Sequence, residues 1–307
     1  MRIDMEVLER FEAGLDPAHP ERSVVPARLI GYGEISAIFT IGDDDDRAYK
    51  RMPLFKDRAS AEAYAEMVDD YSRRLRDAGL HLPESTCAIL TPAGRPVTLY
   101  IVQRRFSDAA VAHRLIHTLD EQGFEALLNA IVAALDRVWE ASAAAGDGVE
   151  IAVDGQISNW VRTGDGAASR LWYLDTGTPF MRIGGRHRLD PELLLQAAPV
   201  FLRWLVRWLF VADVMNRYYV PRLVLIDLIA NLYKEQRPDL VPRALAVINA
   251  AAAGRIEPLS LADIKAYYRE DRLIWTLFLA LRRLDRWITT RLRHRRYEFI
   301  LPGPIRR

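Results

Sequence analysis

Asp154 and Asn159 stand five positions apart in VDGQISNW, between two apolar stretches, and Asp175 follows sixteen residues later in LWYLDTGTP. Carboxylate and amide oxygens are hard ligands of the kind that hold Mg²⁺, and a carboxylate beside an acceptor hydroxyl can orient it or take its proton. Upstream, Lys50 in AYKRM offers an ammonium. Gly31 and Gly33 in GYGEISAI offer a turn whose backbone can approach phosphates without side-chain clash. These are the parts that phosphoryl transfer needs: donors over the phosphates, a cation, oxygens for magnesium and a carboxylate at the acceptor. Taken singly, each is a common turn or surface feature. Their order along one chain gives them weight.

The elements that must position these residues can be read from periodicity and punctuation. RLIGYGEISAIFTIG and RAYKRMPLF read as two antiparallel strands, with the acidic run 43–46 as the solvated tip between them. Alternation puts Tyr49 and Lys50 on opposite faces of that sheet. Ala61, Tyr64, Ala65, Val68, Tyr71 and Leu75 line one face of a helix that ends at Gly79. Glu62 and Glu66 lie one turn apart on it, so either could orient Lys50. Glu66 has the more suitable spacing from Lys50, although periodicity sets it nearly opposite the apolar stripe. TCAIL and VTLYIVQRRF form a second hairpin. Beyond about Ser107 the chain turns helical, with Phe124, Leu127, Leu128, Ile131, Leu135, Val138 and Trp139 marking a long amphipathic helix. Short β segments then carry Asp154, Asn159 and Asp175. Asp190 and Pro191 read as the N-cap and first position of helices that continue nearly to the end.

Gly-rich turn, Lys, helix Glu, D-x-x-x-x-N and D-x-G, in that order, resemble the protein-kinase-like superfamily, nearest its aminoglycoside phosphotransferase and choline kinase-like branch. The motifs run from Gly31 to Gly177. The resemblance implies an α+β fold of two lobes: a β-rich N-lobe over residues 1–105 and a larger, mostly helical C-lobe over 106–307. It further implies ATP and Mg²⁺ as cofactors, with Lys50 on the phosphates, Glu66 behind it, and Asn159 and Asp175 on the metal. Asp154 would be the catalytic carboxylate, and the connection 103–106, beginning with Gln103 and Arg104, would meet adenine. Two departures matter. Ala152 stands where the family commonly has His, which questions the geometry of the loop. Only fifteen residues separate Asp175 from Pro191, and no A-P-E segment follows, which favours a small hydroxylated or lipid-like acceptor over a protein. A nucleotide-binding scaffold without catalysis, or a nucleotidyltransferase, are the alternatives.

Composition sets the outer bounds. Of 307 residues half are hydrophobic, and the formal net charge is +1, so specific nucleic-acid binding is not expected. The single Cys87 excludes an internal disulfide, and MRIDMEVLERFEAG lacks the apolar core of a signal peptide, so a cytoplasmic protein is expected. The apolar stretch 199–233 is interrupted by Arg203, Arg207, Asp213 and Arg217, each costing about 2.5–3.5 kcal/mol inside a bilayer, and reads as buried helices. The histidines form no metal pattern. The final 27 residues hold nine arginines against Asp285 and Glu298, a basic surface for an anionic membrane or another acidic partner.

Overall fold

The computed structural model describes residues 1–33, 35–190, 193 and 212–303. The expected helix start at Pro191 and the first part of the apolar stretch lie outside the described residues. The first helix, α1 (Met5–Gly14), is capped by Asp4, whose carboxylate accepts from the N–H of Val7. Five strands follow: β1 (Ala27–Tyr32), β2 (Ala37–Ile41), β3 (Asp44–Phe55), β4 (Ser85–Leu90) and β5 (Val97–Arg104). They form an antiparallel sheet in the order β1-β2-β3-β5-β4, with α2 (Arg58–Asp77) inserted between β3 and β4. Asp57 caps α2 by accepting from the Ser60 N–H at 2.8 Å, and Gly79, with φ +84°, carries the chain out of it.

The two faces of the sheet follow the period-2 pattern. Tyr49, Tyr100, Val102 and Phe39 pack on one side with Leu8 and Phe11 of α1. Met52, Leu99 and Ile101 pack on the other with Tyr64 and Val68 of α2. The acidic run differs from the expected solvated tip. The turn is tight, at Gly42 and Asp43, and Asp44 already belongs to β3. There its carboxylate accepts from Arg47 and from the Tyr49 hydroxyl, both at 2.6 Å, which holds the acidic residue in the strand.

The remainder is mostly helical, as the resemblance implies: α3 (Ala112–Leu115), α4 (Glu121–Ala143), α5 (Ala212–Arg217), α6 (Pro221–Lys234), α7 (Val241–Ala251) and α8 (Leu261–Trp287). Leu127, Ile131 and Leu135 of α4 meet Leu225 and Ile229 of α6 and Ala244 and Ile248 of α7 in one apolar core. Each of these leucines and isoleucines contributes roughly 1.5–3 kcal/mol on burial. Two small β units sit on this core. One joins β6 (Val149–Ile151), β9 (Met181–Ile183) and β10 (Arg186–His187), and the other is the hairpin of β7 (Trp160–Thr163) and β8 (Arg170–Tyr173). Among the described residues no helix is long and apolar enough to cross a membrane.

The end of the chain returns to its beginning. After α8, Ile300 enters the core around Leu8 and Phe11, and Glu298 meets Arg51 of β3 and Arg95 of the β4–β5 connection. A segment that sequence order places in the helical lobe therefore packs on the back of the β-rich lobe.

Candidate active site

The β7–β8 hairpin brings the two candidate metal ligands together. Trp160 pairs with Tyr173, and one step beyond that register the Leu174 N–H donates to the Asn159 carbonyl at 2.8 Å. Asn159 and Asp175 are thereby fixed beside each other at the open end of a short ladder. The side-chain amide of Asn159 donates from Nδ2 to the Asp154 carbonyl at 3.2 Å, which turns its oxygen away from the loop it braces. Asp154 is tied in its turn: its N–H donates to the Tyr173 hydroxyl at 3.2 Å, and its Oδ1 accepts from the Gln156 N–H at 3.0 Å. A side chain at Gly155 would put its Cβ 2.7 Å from Cγ1 of Val224, so the loop sits hard against α6.

Lys50 reaches this group from the sheet. Its Nζ donates to Oδ1 of Asp175 at 2.8 Å, with both side chains about one-fifth exposed, at 17% and 21%. The lysine lies across Gly177, where a Cβ would come within 2.5 Å of Nζ. A larger residue there would require Lys50 to shift. The helix carboxylate expected behind Lys50 is not found in that place. Glu66 and Glu62 are exposed, and Glu62 accepts from Arg58 on the same helix at 2.8 Å. The reason is the periodicity of α2, which turns Tyr64, Val68 and Tyr71 inward and both glutamates out.

What α2 presents instead is a pair of hydroxyls two turns apart. The Tyr64 hydroxyl donates to the Gly177 carbonyl at 2.8 Å, and that of Tyr71 donates to the Ala152 carbonyl at 2.6 Å. The second contact answers the departure at Ala152. No histidine stands there, yet the residue is fully buried, with its N–H donating to the Phe180 carbonyl at 3.0 Å and its carbonyl held by Tyr71. Both segments that carry the candidate chemistry are thus hung from one helix.

Gln103 and Arg104 stand at the end of β5, where Gln103 pairs with Ala48 on one side and Ser85 on the other. The backbone of Gln103 is thus flanked by a strand on both sides within the sheet. Its side chain crosses to the second lobe, where Nε2 donates to the Leu174 carbonyl and to Oγ1 of Thr176, both at 3.0 Å. Arg104 is exposed, and its N–H donates to the Glu84 carbonyl at 2.9 Å. At the glycine-rich turn, Gly31 pairs with Ile38 and the Gly33 N–H donates to the Ser36 carbonyl at 3.0 Å. Among the described residues the buried Ser36 hydroxyl has no hydrogen-bond partner.

The electrostatics centre on Asp154. Burial pushes its carboxyl well above the ordinary carboxylate range, and Asp227 and Asp175 push the same way against the Gln156 N–H and Lys234. Asp227, buried on α6, is itself pushed up to about 6 by burial and by Asp271, against Lys234, Gln156 and Tyr267. Such a concentration of carboxylates calls for positive charge. Among the described residues no three acidic, His or Cys side chains form a ready-made metal cage. A magnesium ion does not require one, since it keeps several waters and binds through one or two protein oxygens plus phosphates. Asp175 and the Asn159 amide oxygen fit that demand.

In sequence, residues 30–286 match a family described as a family of unknown function, DUF6206. The chain belongs to that family. No curated protein matches it. Among solved structures it is similar to WaaP in complex with acyl carrier protein, at 15% identity, over 73% of this chain and 89% of that one, with a TM-score of 0.35. It is likewise similar to the PknI kinase domain of Mycobacterium tuberculosis, at 18% identity, over 81% of this chain and 94% of that one, with a TM-score of 0.31.

Four residues around this DUF6206 site escape motif reading: Tyr64, Tyr71, Gln156 and Asp227. The two tyrosines register in the sequence only as apolar-face residues. Their hydroxyls carry the missed signal, because a buried tyrosine usually finds a hydrogen-bond partner. Asp227 in VLIDLIANL is a charge in the middle of an apolar helix, a placement that needs paired or specialised surroundings. Gln156 accepts from Lys234 at 3.2 Å and so links the loop to the end of α6, for which the sequence gives no sign.

Proposed function

We propose that the chain is an ATP- and Mg²⁺-dependent phosphotransferase acting on a small hydroxylated or lipid-like molecule. The observation that carries this reading is the convergence of Lys50, Asp154, Asn159 and Asp175, drawn from three separate stretches of sequence, at one partly buried place between the lobes. Lys50 holds the phosphates in trade for part of its pairing with Asp175. Asp175 and Asn159 hold the metal, which when bound neutralises phosphate charge. Asp154, kept in a poorly solvated place, orients the acceptor hydroxyl and takes its proton. That help is typically worth about 10²–10⁴ in rate. Gly31, Gly33 and the buried Ser36 hydroxyl, which has no partner among the described residues, supply a turn suited to covering phosphates.

One observation favours a second reading, a nucleotide-binding scaffold without turnover: both helix glutamates lie in solvent, and Lys50 is ion-paired with Asp175 instead. Thermal shift with ATP plus Mg²⁺ against each alone, followed by detection of ADP, separates the two. The wild type is expected to show a magnesium-dependent shift and release ADP. Asp154→Asn should keep the shift and lose about 10²–10⁴ in turnover, while Asp175→Asn should lose the magnesium dependence of the shift. A shift with no ADP from any acceptor supports the scaffold, and AMP-linked product supports nucleotidyl transfer. Wild-type turnover in both variants overturns the phosphotransferase assignment.

A further inference from the structure

Helix α8 has a second face that no other described residue covers. Its inner side is anchored by Ile264 in the helical core and by Leu279, also buried. On the outer side Leu273, Leu277, Leu284 and Trp287 are between 43% and 69% exposed. At 100° per residue these four, with exposed Ala280 among them, fall within about one-quarter of the helix circumference. They make a straight stripe about 21 Å long, which Leu292, 62% exposed, extends beyond the helix end. Scattered exposed leucines need no explanation. A continuous row of them does.

The charge beside the row identifies what it fits. Lys265, Arg269, Arg272 and Arg283 recur along one flank of the stripe, and all four are exposed. Arg291, Arg293 and Arg295 follow at its end, exposed as well. Residues 272–296 contain eight arginines and a single acidic residue, Asp285. A second copy of the chain laid on this face would set arginine rows against each other, a like-charge arrangement that disfavours pairing. A ligand that is only phosphate would leave the leucines in water. An anionic bilayer meets both demands, because acyl chains take the apolar stripe and headgroups take the guanidinium row. Trp287, at the end of the stripe beside the cations, has the amphipathic ring that favours the interfacial depth.

We infer that α8 and residues 288–296 form a peripheral docking surface for an anionic membrane, with the helix lying in the interface plane. The stripe contains none of the residues assigned to phosphoryl transfer, so this inference holds or fails independently of the phosphotransferase reading. Co-sedimentation of the full chain with phosphatidylcholine vesicles, and with vesicles also containing phosphatidylglycerol, tests it at low and high salt. Binding is expected to the anionic vesicles, about tenfold or more above the neutral ones, and to weaken with salt. Leu277→Asp combined with Leu284→Asp should abolish it with an unchanged thermal melt. Arg291→Ala, Arg293→Ala and Arg295→Ala should each weaken it about fivefold and flatten the salt dependence. A blue shift of tryptophan emission on binding should disappear in Trp287→Phe. Absence of wild-type binding to anionic vesicles overturns the inference, and this measurement needs no variant to fold. So does a dimer in light scattering that the two leucine substitutions convert to monomer while vesicles bind neither form.

Discussion

Lys50 and Arg51 are neighbours in β3, and the pleat of one strand sends them into opposite environments. Lys50 faces the cleft, is 17% exposed and is ion-paired with Asp175. Arg51 faces the back of the sheet and is 1% exposed. Its Nε and one terminal nitrogen grip Glu12 of α1, each at 2.7 Å, while its terminal nitrogens reach the Glu298 carbonyl at 2.8 Å and the Glu298 carboxylate at 3.0 Å. Arg95 and Tyr100 complete the cluster on the same two glutamates. A guanidinium has rigid donors suited to such saturation, whereas an ammonium on a flexible stem is easily exchanged between partners. The same strand thus holds one cation as structure and leaves the other open to exchange. Saturation and burial, not charge, mark the difference.

The sharpest way to break this contrast is to remove the saturated cation. Arg51→Met would leave Glu12 buried without its bidentate partner, and breaking a buried pair costs about 3–5 kcal/mol. The large loss should appear in urea unfolding, with turnover per folded molecule retained. Acid supplies an independent reading of the same cluster. Burial alone would push the Glu12 carboxyl up, but the hydrogen bonds and charge of Arg51, with Tyr100 and Arg95, hold it below its ordinary 4.5. Burial likewise opposes Arg95, Arg51 and Arg296 at Glu298, where the net shift is again downward. Groups lowered by folding stabilise above their unfolded pKa and lose that contribution as pH falls through the folded value. The wild type should therefore lose stability on acidification below about 4.5, and the slope in Arg51→Met should be shallower. An unchanged midpoint and slope in Arg51→Met would show the cluster to be ornament.

Lys50→Met makes the complementary cut. The pair with Asp175 is partly solvated, so its loss should alter stability by no more than about 1 kcal/mol. Turnover with ATP should fall about a hundredfold, because a cation on the phosphates acts where transition-state charge is placed. Unfolding and ADP release measured on the same preparations decide between the roles. If Lys50→Met unfolds as easily as Arg51→Met and keeps its turnover, the two cations do not differ as proposed.

The contrast also explains which parts of the molecule could be read from sequence. Strand alternation, the helix from Asp57 to Gly79 and the hairpins are local, set by neighbours a few residues apart. The side-by-side placement of Asn159 and Asp175 belongs with them, since a single hairpin produces it. The partner of Arg51 does not, because Glu298 lies 247 residues away and enters only when the chain end folds back. The partner of Lys50 in the structure, Asp175, differs from the expected helix glutamate for a related reason. A suitable carboxylate one helix away competed with one across the cleft, and only the packed orientation of α2 decides between them. Asp227 is not legible as a neighbour of Asp154, because nothing in an apolar helix says which loop will rest on its one carboxylate.

The finest test concerns the two hydroxyls through which α2 holds the cleft. Tyr64→Phe removes the donor to Gly177, and Tyr71→Phe removes the donor to Ala152. Each leaves a carbonyl without that donor, worth about 1 kcal/mol, and keeps the ring in the core. Their effects on turnover should nevertheless differ. Gly177 is the surface on which Lys50 lies, so Tyr64→Phe should loosen the phosphate side and raise KM for ATP a few-fold, at ~1 kcal/mol, with kcat retained. Ala152 stands two residues before Asp154, so Tyr71→Phe should lower kcat and leave KM for ATP unchanged. Steady-state ADP release against ATP concentration separates the outcomes. Equal effects of the two substitutions on both constants would mean that α2 only fills space, and that the tyrosines belong with Arg51 among the structural contacts.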